Sequence, residues 1–338
     1  MMIKRVLFIL GISIWVHQMV KAQDPHFSQF FASPLTQNPA NIGTFTGQFR
    51  VASNYRDQWP GINKAYTTTT VSVDAHMLSQ FISSNDQLSW GLLAMSDASG
   101  NGLLGQQSAT VGLSYSKGLN QDRTHAITIG FQSTYLKLRF NPEKADFEDE
   151  LSPAGFDLPT AESFFLNNNQ QSVFDLHAGV KYVGNLSEAT LFYLGFAGYH
   201  LGRPAMGFFD NRNSIDMRFN ISSGGYTIID PNNFIHFSAQ YQRQNNFRDF
   251  TYGAAWNRIL NNSSNGKLQG YLGVWSRNNE FLIPYMGLDF NGFQFGFSQD
   301  LGVGTKKAKA SQYQSSEISF VWTMVRDESL KSLECPKF

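Results

Sequence analysis

Ala109-Thr-Val-Gly-Leu-Ser-Tyr-Ser116 is the stretch on which the fold turns. Ala109, Val111, Leu113 and Tyr115 point to one side of an extended chain, and Thr110, Gly112, Ser114 and Ser116 point to the other. A period of two, with one apolar and one polar face, means β-strand. The pattern recurs in both directions along the chain. Phe174, Leu176, Ala178, Val180 and Tyr182 alternate with Asp175, His177, Gly179 and Lys181; Met217, Phe219 and Ile221 alternate with Arg218, Asn220 and Ser222. Phe293, Phe295 and Phe297 alternate with Gln294, Gly296 and Ser298, and Ile318, Phe320, Trp322 and Met324 alternate with Ser319, Val321, Thr323 and Val325. No helical period of useful length interrupts them. Strands are expected near 48–56, 66–77, 88–97, 106–117, 124–140, 173–183, 190–200, 215–228, 234–244, 250–259, 268–276, 280–290, 293–300 and 316–325.

Fourteen strands of this kind close in one of two ways. A soluble sandwich turns its apolar face inward, whereas a membrane barrel turns it out to lipid and keeps a polar, glycine-rich lumen. Three features favour the barrel. Strands of about ten residues account for nearly the whole chain, more and longer than a sandwich uses. Arg218, Asp175, Lys181 and Gln294 lie on polar faces of different strands, as a wet lumen allows. Loop lengths also alternate. With the first strand rising from the periplasm, the even-to-odd connections are 78–87, 118–123, 184–189, 229–233, 260–267 and the pair Asn291-Gly292. The odd-to-even ones include 57–65, 141–172, 201–214 and 301–315. Short periplasmic turns and longer outer loops are the barrel asymmetry, and Asn-Gly is the strongest short hairpin signal. In the fifth strand the parity of Ile127, Ile129, Phe131 and Tyr135 continues to Lys137 and Arg139. A lipid-facing cation near the midplane costs about 2–4 kcal/mol, so these two belong at the outer headgroup level or on a solvated rim.

Composition narrows the function. Of 338 residues, 26 are basic and 26 acidic, and charged residues reach only 15% against about 25% in ordinary soluble domains. Without basic excess there is nothing to neutralise phosphates, which argues against nucleic-acid binding. The 14% aromatic content excludes disorder, and a single cysteine excludes a disulfide scaffold and multi-cysteine metal sites. Mean hydropathy is −0.27, and the only long apolar run, 6–16, comes first, behind Lys4 and Arg5 and ahead of Val20-Lys21-Ala22. That reads as a signal peptide, residues 1–22, cleaved after Ala22. Its removal takes Lys4, Arg5 and Lys21, leaving 23 basic against 26 acidic residues. The mature chain then divides into an extended segment, 23–48, rich in proline and lying in or under the lumen, and a barrel, 49–338.

The opening Gln23-Asp-Pro-His-Phe-Ser-Gln-Phe-Phe-Ala-Ser-Pro-Leu-Thr-Gln-Asn-Pro-Ala-Asn-Ile-Gly43 resembles that of the PorP/SprF family, outer-membrane components of the type IX secretion system in Bacteroidetes. Asn54-Tyr-Arg-Asp-Gln-Trp-Pro-Gly-Ile62 and Thr68-Thr-Thr-Val-Ser-Val-Asp74 are similar as well. So are Ile283-Pro-Tyr-Met-Gly-Leu-Asp-Phe290, Phe295-Gly-Phe-Ser-Gln-Asp300, Ser316-Glu-Ile-Ser-Phe320 and the terminal Cys335-Pro-Lys-Phe338. The loops 141–172 and 201–214 match no such pattern. The resemblance implies a barrel that helps export or surface attachment of large proteins, such as gliding-motility adhesins. Its expected partners are that client, the translocon or its periplasmic components, and the lipid bilayer. A channel for small or hydrophobic solutes is the alternative.

Arg56, Gln58, Trp59 and Pro60, expected in the first outer loop, are the candidate contacts for an exported protein or a neighbouring barrel. Structurally, Arg56 would instead pair with a carboxylate while Trp59 fills the barrel mouth. Cys335, beyond the last strand, is a candidate contact through its thiol, or a thiol buried by packing. Asp74 with His76, and Asp175 with His177, form two Asp-x-His pairs on polar faces. Metal binding needs three or four such ligands together, so lumenal hydrogen bonding is the expected role. His26, His125, His200 and His236 give no ligand spacing. The acidic run from Glu143 to Glu150 fits a solvated loop better than a calcium or partner site. No Gly-x-Ser-x-Gly elbow occurs, and the glycine-rich Ser99-Gly-Asn-Gly-Leu-Leu-Gly105, superficially a phosphate cradle, precedes an expected strand rather than a helix. Neither catalysis nor a cofactor is expected.

Overall fold

The computed structural model describes residues 24–62, 65–77, 85–145, 147–153, 155–156, 169–208, 213–263, 266–304 and 314–324. The proposed signal peptide and Cys335 lie outside the described residues, as does Asp146 within the acidic run. Alternating sequence becomes alternating burial. From Ala109 to Ser116 every apolar residue is exposed on the outside, and every small or polar one is buried within.

Fourteen antiparallel strands form one closed sheet. In chain order they are β1 (Phe49–Gln58), β2 (Tyr66–His76), β3 (Asp86–Ser99), β4 (Leu104–Gly118), β5 (His125–Phe140), β6 (Gln170–Ser187) and β7 (Thr190–Tyr199). The remainder are β8 (Arg218–Asp230), β9 (Asn233–Gln244), β10 (Phe247–Ser263), β11 (Gly266–Arg277), β12 (Phe281–Phe290), β13 (Phe293–Gly302) and β14 (Ser315–Met324). Each pairs with its sequence neighbours, and β1 closes on β14 from Phe49↔Met324 to Gln58↔Ser315. Closure leaves the barrel sheet itself without an edge strand for another chain to extend. No helix among the described residues is long and apolar enough to cross a membrane; the strands make the crossing.

Outside, large apolar side chains form a continuous belt, with Phe131 62% and Phe174 74% exposed. In lipid this exposure is solvation, and among sheets only a closed barrel satisfies every backbone group there. Lys137 and Arg139 share the outward parity at the long-loop end of β5, as their sequence position implies. At Asn291-Gly292 both residues have positive φ, 53° and 86°, the conformation a two-residue hairpin needs. The Asn291 Oδ1 accepts from the Lys267 N–H at 2.8 Å, tying that turn to β11.

Three details differ from the sequence reading. β1 runs on to Gln58, so Arg56 and Gln58 are strand residues and not loop residues. The long-loop end also has tight connections, at 245–246 and 278–280, where asparagine adopts positive φ. The lumen is not uniformly polar either. Trp275, Tyr271, Ile283 and Tyr285 turn inward from β11 and β12 and form an apolar cluster with Phe30 and Phe31.

Candidate functional site

Residues 24–48 lie in the space inside the sheet, and three clusters of buried polar groups meet that plug. Its prolines dictate its shape. Pro34 opens the single helical turn Pro34–Gln37, and Pro39 opens the 3-10 turn Pro39–Asn41. Proline suits the first helical position, with its fixed φ and missing donor. Asn38 between them caps the second turn by accepting from the Ala40 N–H at 2.8 Å. Its amide also donates to the Val180 carbonyl on β6, at 3.1 Å, and the Phe196 carbonyl on β7, at 3.3 Å. The plug approaches the wall so closely that only glycine fits opposite it. A Cβ on Gly179 would lie 2.0 Å from the Asn38 Oδ1, and one on Gly130 2.3 Å from the Pro39 carbonyl oxygen.

Apolar packing holds one flank. The Phe31 ring lies 4.9 Å from Trp275 and edge-on to Tyr285 at 5.4 Å, while the Trp275 Nε1–H donates to the Ser238 hydroxyl at 3.0 Å.

Ion pairs hold the plug's beginning. Arg56 on β1 is 1% exposed and pairs with Asp300 on β13 at 2.8 Å and Glu317 on β14 at 3.1 Å. Arg277 on β11 reaches Asp300 at 2.9 Å. The plug enters this cluster through Ser28 and Gln29, whose backbone N–H groups donate to the Glu317 carboxylate at 2.7 and 3.1 Å. The Ser28 hydroxyl donates to Asp300 at 2.6 Å and accepts from both guanidiniums. Charges withdrawn from water require such pairing. At the other end of the plug, Arg50 pairs with Asp74 at 2.8 Å and donates to the Asn41 carbonyl, and the Gly43 N–H donates to Asp74 at 2.7 Å. Lys181 donates to the Asn41 Oδ1 at 2.9 Å.

A third cluster lies at the long-loop end. Asp175 and His177 from β6 meet His200, the residue after β7, and Asp24 and Arg218 join them. Nitrogen and oxygen atoms of Asp175, His177 and His200 lie within 4.8 Å of one another, so among the described residues these three could together hold a metal.

A cavity of about 230 Å³ remains at the short-turn end, between the plug and the wall, with Phe31, Phe45, Arg50, Lys181 and Tyr193 among its lining.

The residues expected to contact a partner therefore divide. Arg56 takes the structural role weighed for it: it faces the lumen and is engaged by two carboxylates, because its parity with Asn54 is the inward one. Gln58 ends β1 beside it, its Oε1 accepting from the Arg56 Nε at 3.4 Å. Trp59 turns at φ 58°, donates its N–H to the Gln314 carbonyl at 2.9 Å and packs edge-on to Tyr66. Pro60 is exposed on the rim. Asp74 binds the plug, as above, and His76 stacks on Phe45 at 4.7 Å. In the acidic run, Glu143 and Glu150 belong to short 3-10 turns at the surface. Sequence reasoning missed Ser28, Gln29, Arg277 and Glu317. The signal for Glu317 and Arg277 was a charge with inward parity on a strand whose outward face is apolar; Ser28 and Gln29 carried none.

The family model described as type IX secretion system membrane protein PorP/SprF matches residues 19–322. No curated protein matches the sequence closely. Among solved structures, the Ralstonia pickettii toluene transporter TbuX is similar, with 9% identity over 86% of this chain and 92% of that one and a TM-score of 0.48. The CymD monoaromatic hydrocarbon channel gives 8% identity, coverages of 87% and 93% and a TM-score of 0.48. A Pseudomonas aeruginosa FadL homologue gives 10%, 84% and 92%, and 0.46.

Proposed function

The chain belongs to the PorP/SprF family of type IX secretion system membrane proteins, and from that premise we propose that it acts in the outer membrane by protein–protein contact, without chemistry. In this reading it assists export or cell-surface attachment of large secreted proteins, such as gliding-motility adhesins. The observation that carries the reading is the occupied lumen. A wall that fixes its own N-terminal segment through Ser28, Asn38, Asn41 and Gly43 is built as a rigid platform.

The long loops would face outward and hold the client, with Gln58, Trp59 and Pro60 on that rim. The short turns and the segment carrying Cys335 would face the periplasm and meet the secretion machinery. Native pull-down from membranes tests this directly. Recovery of a large secreted surface protein or of translocon subunits supports it; a clean monomer at native expression level contradicts it. The alternative, a channel for small or hydrophobic solutes, predicts robust conductance or liposome swelling from the wild-type protein.

A further inference from the structure

We propose that Asp175, His177 and His200 form a binding site for a zinc-class divalent cation at the long-loop end of the lumen. Residues two apart on a strand share a face, so β6 delivers the Asp175 and His177 side chains inward together. Their third partner arrives from β7. His200 has φ 57°, a left-handed conformation that an L-residue adopts at some cost, and this reversal brings its ring back over β6. All three side chains are buried.

What distinguishes the cluster from ordinary lumenal hydrogen bonding is how each ring is held. The His200 Nε2 lies 2.7 Å from the Asp24 Oδ2, and Asp24 lies 3.1 Å from the Arg218 Nε. The His177 Nε2 lies 2.9 Å from the Thr134 Oγ1. Both Nε2 atoms are thus engaged by oxygen partners, and both Nδ1 atoms face the same carboxylate. Asp175 is oriented in the same way. Its Oδ1 accepts from the Leu176 N–H at 2.8 Å, which leaves Oδ2 in contact with the His200 Nδ1 and 3.9 Å from the His177 Nδ1. Histidines that ligate metals characteristically give their far nitrogen to a carboxylate or similar acceptor, which fixes ring and tautomer. Two imidazoles and one carboxylate suit zinc-class ions and leave a fourth position for water.

Two contacts must yield: the His200 backbone N–H donates to the His177 Nδ1 at 3.2 Å, and the His200 Nδ1 is hydrogen-bonded directly to the Asp175 Oδ2. Ligand atoms around a tetrahedral ion lie about 3.3 Å apart, so the His177 Nδ1 would move in from 3.9 Å of the Asp175 Oδ2 while the His200 Nδ1 and that oxygen separate. The bound cation would tie β6 to β7 and, through the His200–Asp24 contact, to the start of the plug. This site does not depend on the secretion reading.

The test uses the full-length protein, folded in detergent and freed of metal with a chelator, titrated with Zn²⁺ and with Co²⁺ as the spectroscopic probe. One equivalent should bind, with visible Co²⁺ bands of a four-coordinate site and a raised unfolding temperature. His177→Ala should abolish stoichiometric binding. Thr134→Val, which keeps every ligand, should weaken it about 10- to 100-fold. Heat-modifiable gel migration verifies that each variant is a closed barrel. No stoichiometric binding by the folded wild type overturns the proposal, as does binding by both variants at wild-type strength.

Discussion

At the residue scale, Arg56 concentrates the argument. It is fully enclosed, and its two carboxylate partners and Ser28 join three strands and the plug at one point. Removing one partner from a buried ion cluster costs about 3–5 kcal/mol, because the remaining charges are left uncompensated. Arg56→Met should therefore lower stability by about that amount in urea unfolding from vesicles. A value within about 0.5 kcal/mol of wild type, the range of ordinary surface changes, would contradict the pairing. His26, half-buried in the plug, gives a pH dependence. Burial first, and then Arg277, Arg56 and Arg218 against the opposing Asp300, hold its imidazole well below the ordinary range; the Phe247 ring covers it at 5.7 Å. A base with a depressed folded pKa binds its proton more readily once released. Its neutral form is fully accommodated above about pH 6.5, and acidification below that favours plug release by up to about 1.4 kcal/mol per pH unit. Limited proteolysis should cut the N-terminal segment faster at pH 5 than at pH 7.5, and His26→Gln should remove the difference. Equal rates for the wild type would refute it.

At the element scale, wall and plug are matched surfaces. Valine at Gly130 would collide with the Pro39–Ala40 backbone, which has no rotamer with which to escape. Gly130→Val should leave a closed, heat-modifiable barrel whose N-terminal segment is sensitive to protease; a protected segment would show that the contact is loose. On the other face, Phe131→Arg should destabilise the barrel by about 2–4 kcal/mol if the residue lies near the bilayer midplane, measured by unfolding into urea. Strands were legible in the sequence because alternation is a local signal: Phe174 out and Asp175 in need no knowledge of neighbours. Trp275 was not legible as an inward residue, since a tryptophan suits lipid equally well and only Phe31 explains its side. His200 was opaque for the same reason. It lies 23 residues beyond His177, and only the β6–β7 pairing brings the two together. Arg56 looked like loop because polar residues crowd the end of β1, where the inward and outward faces both contact polar groups.

At the scale of the whole molecule, the protein has two solvents and one filler. Acyl tails solvate the outer belt, while the chain's own residues 24–48 fill much of the lumen beside a cavity of about 230 Å³. Hydrogen bonds to that segment come from β2, β4, β5, β6, β8, β9 and β14 among others, so no single wall contact holds it. The barrel, its closure and a segment in or under it followed from periodicity and proline content; the ligands that bolt the segment down required the register. Planar-bilayer recording of the purified wild-type protein is the most direct test of this arrangement. A filled lumen should give traces without stable open-channel steps, and long-lived steps from the unmodified protein would contradict it.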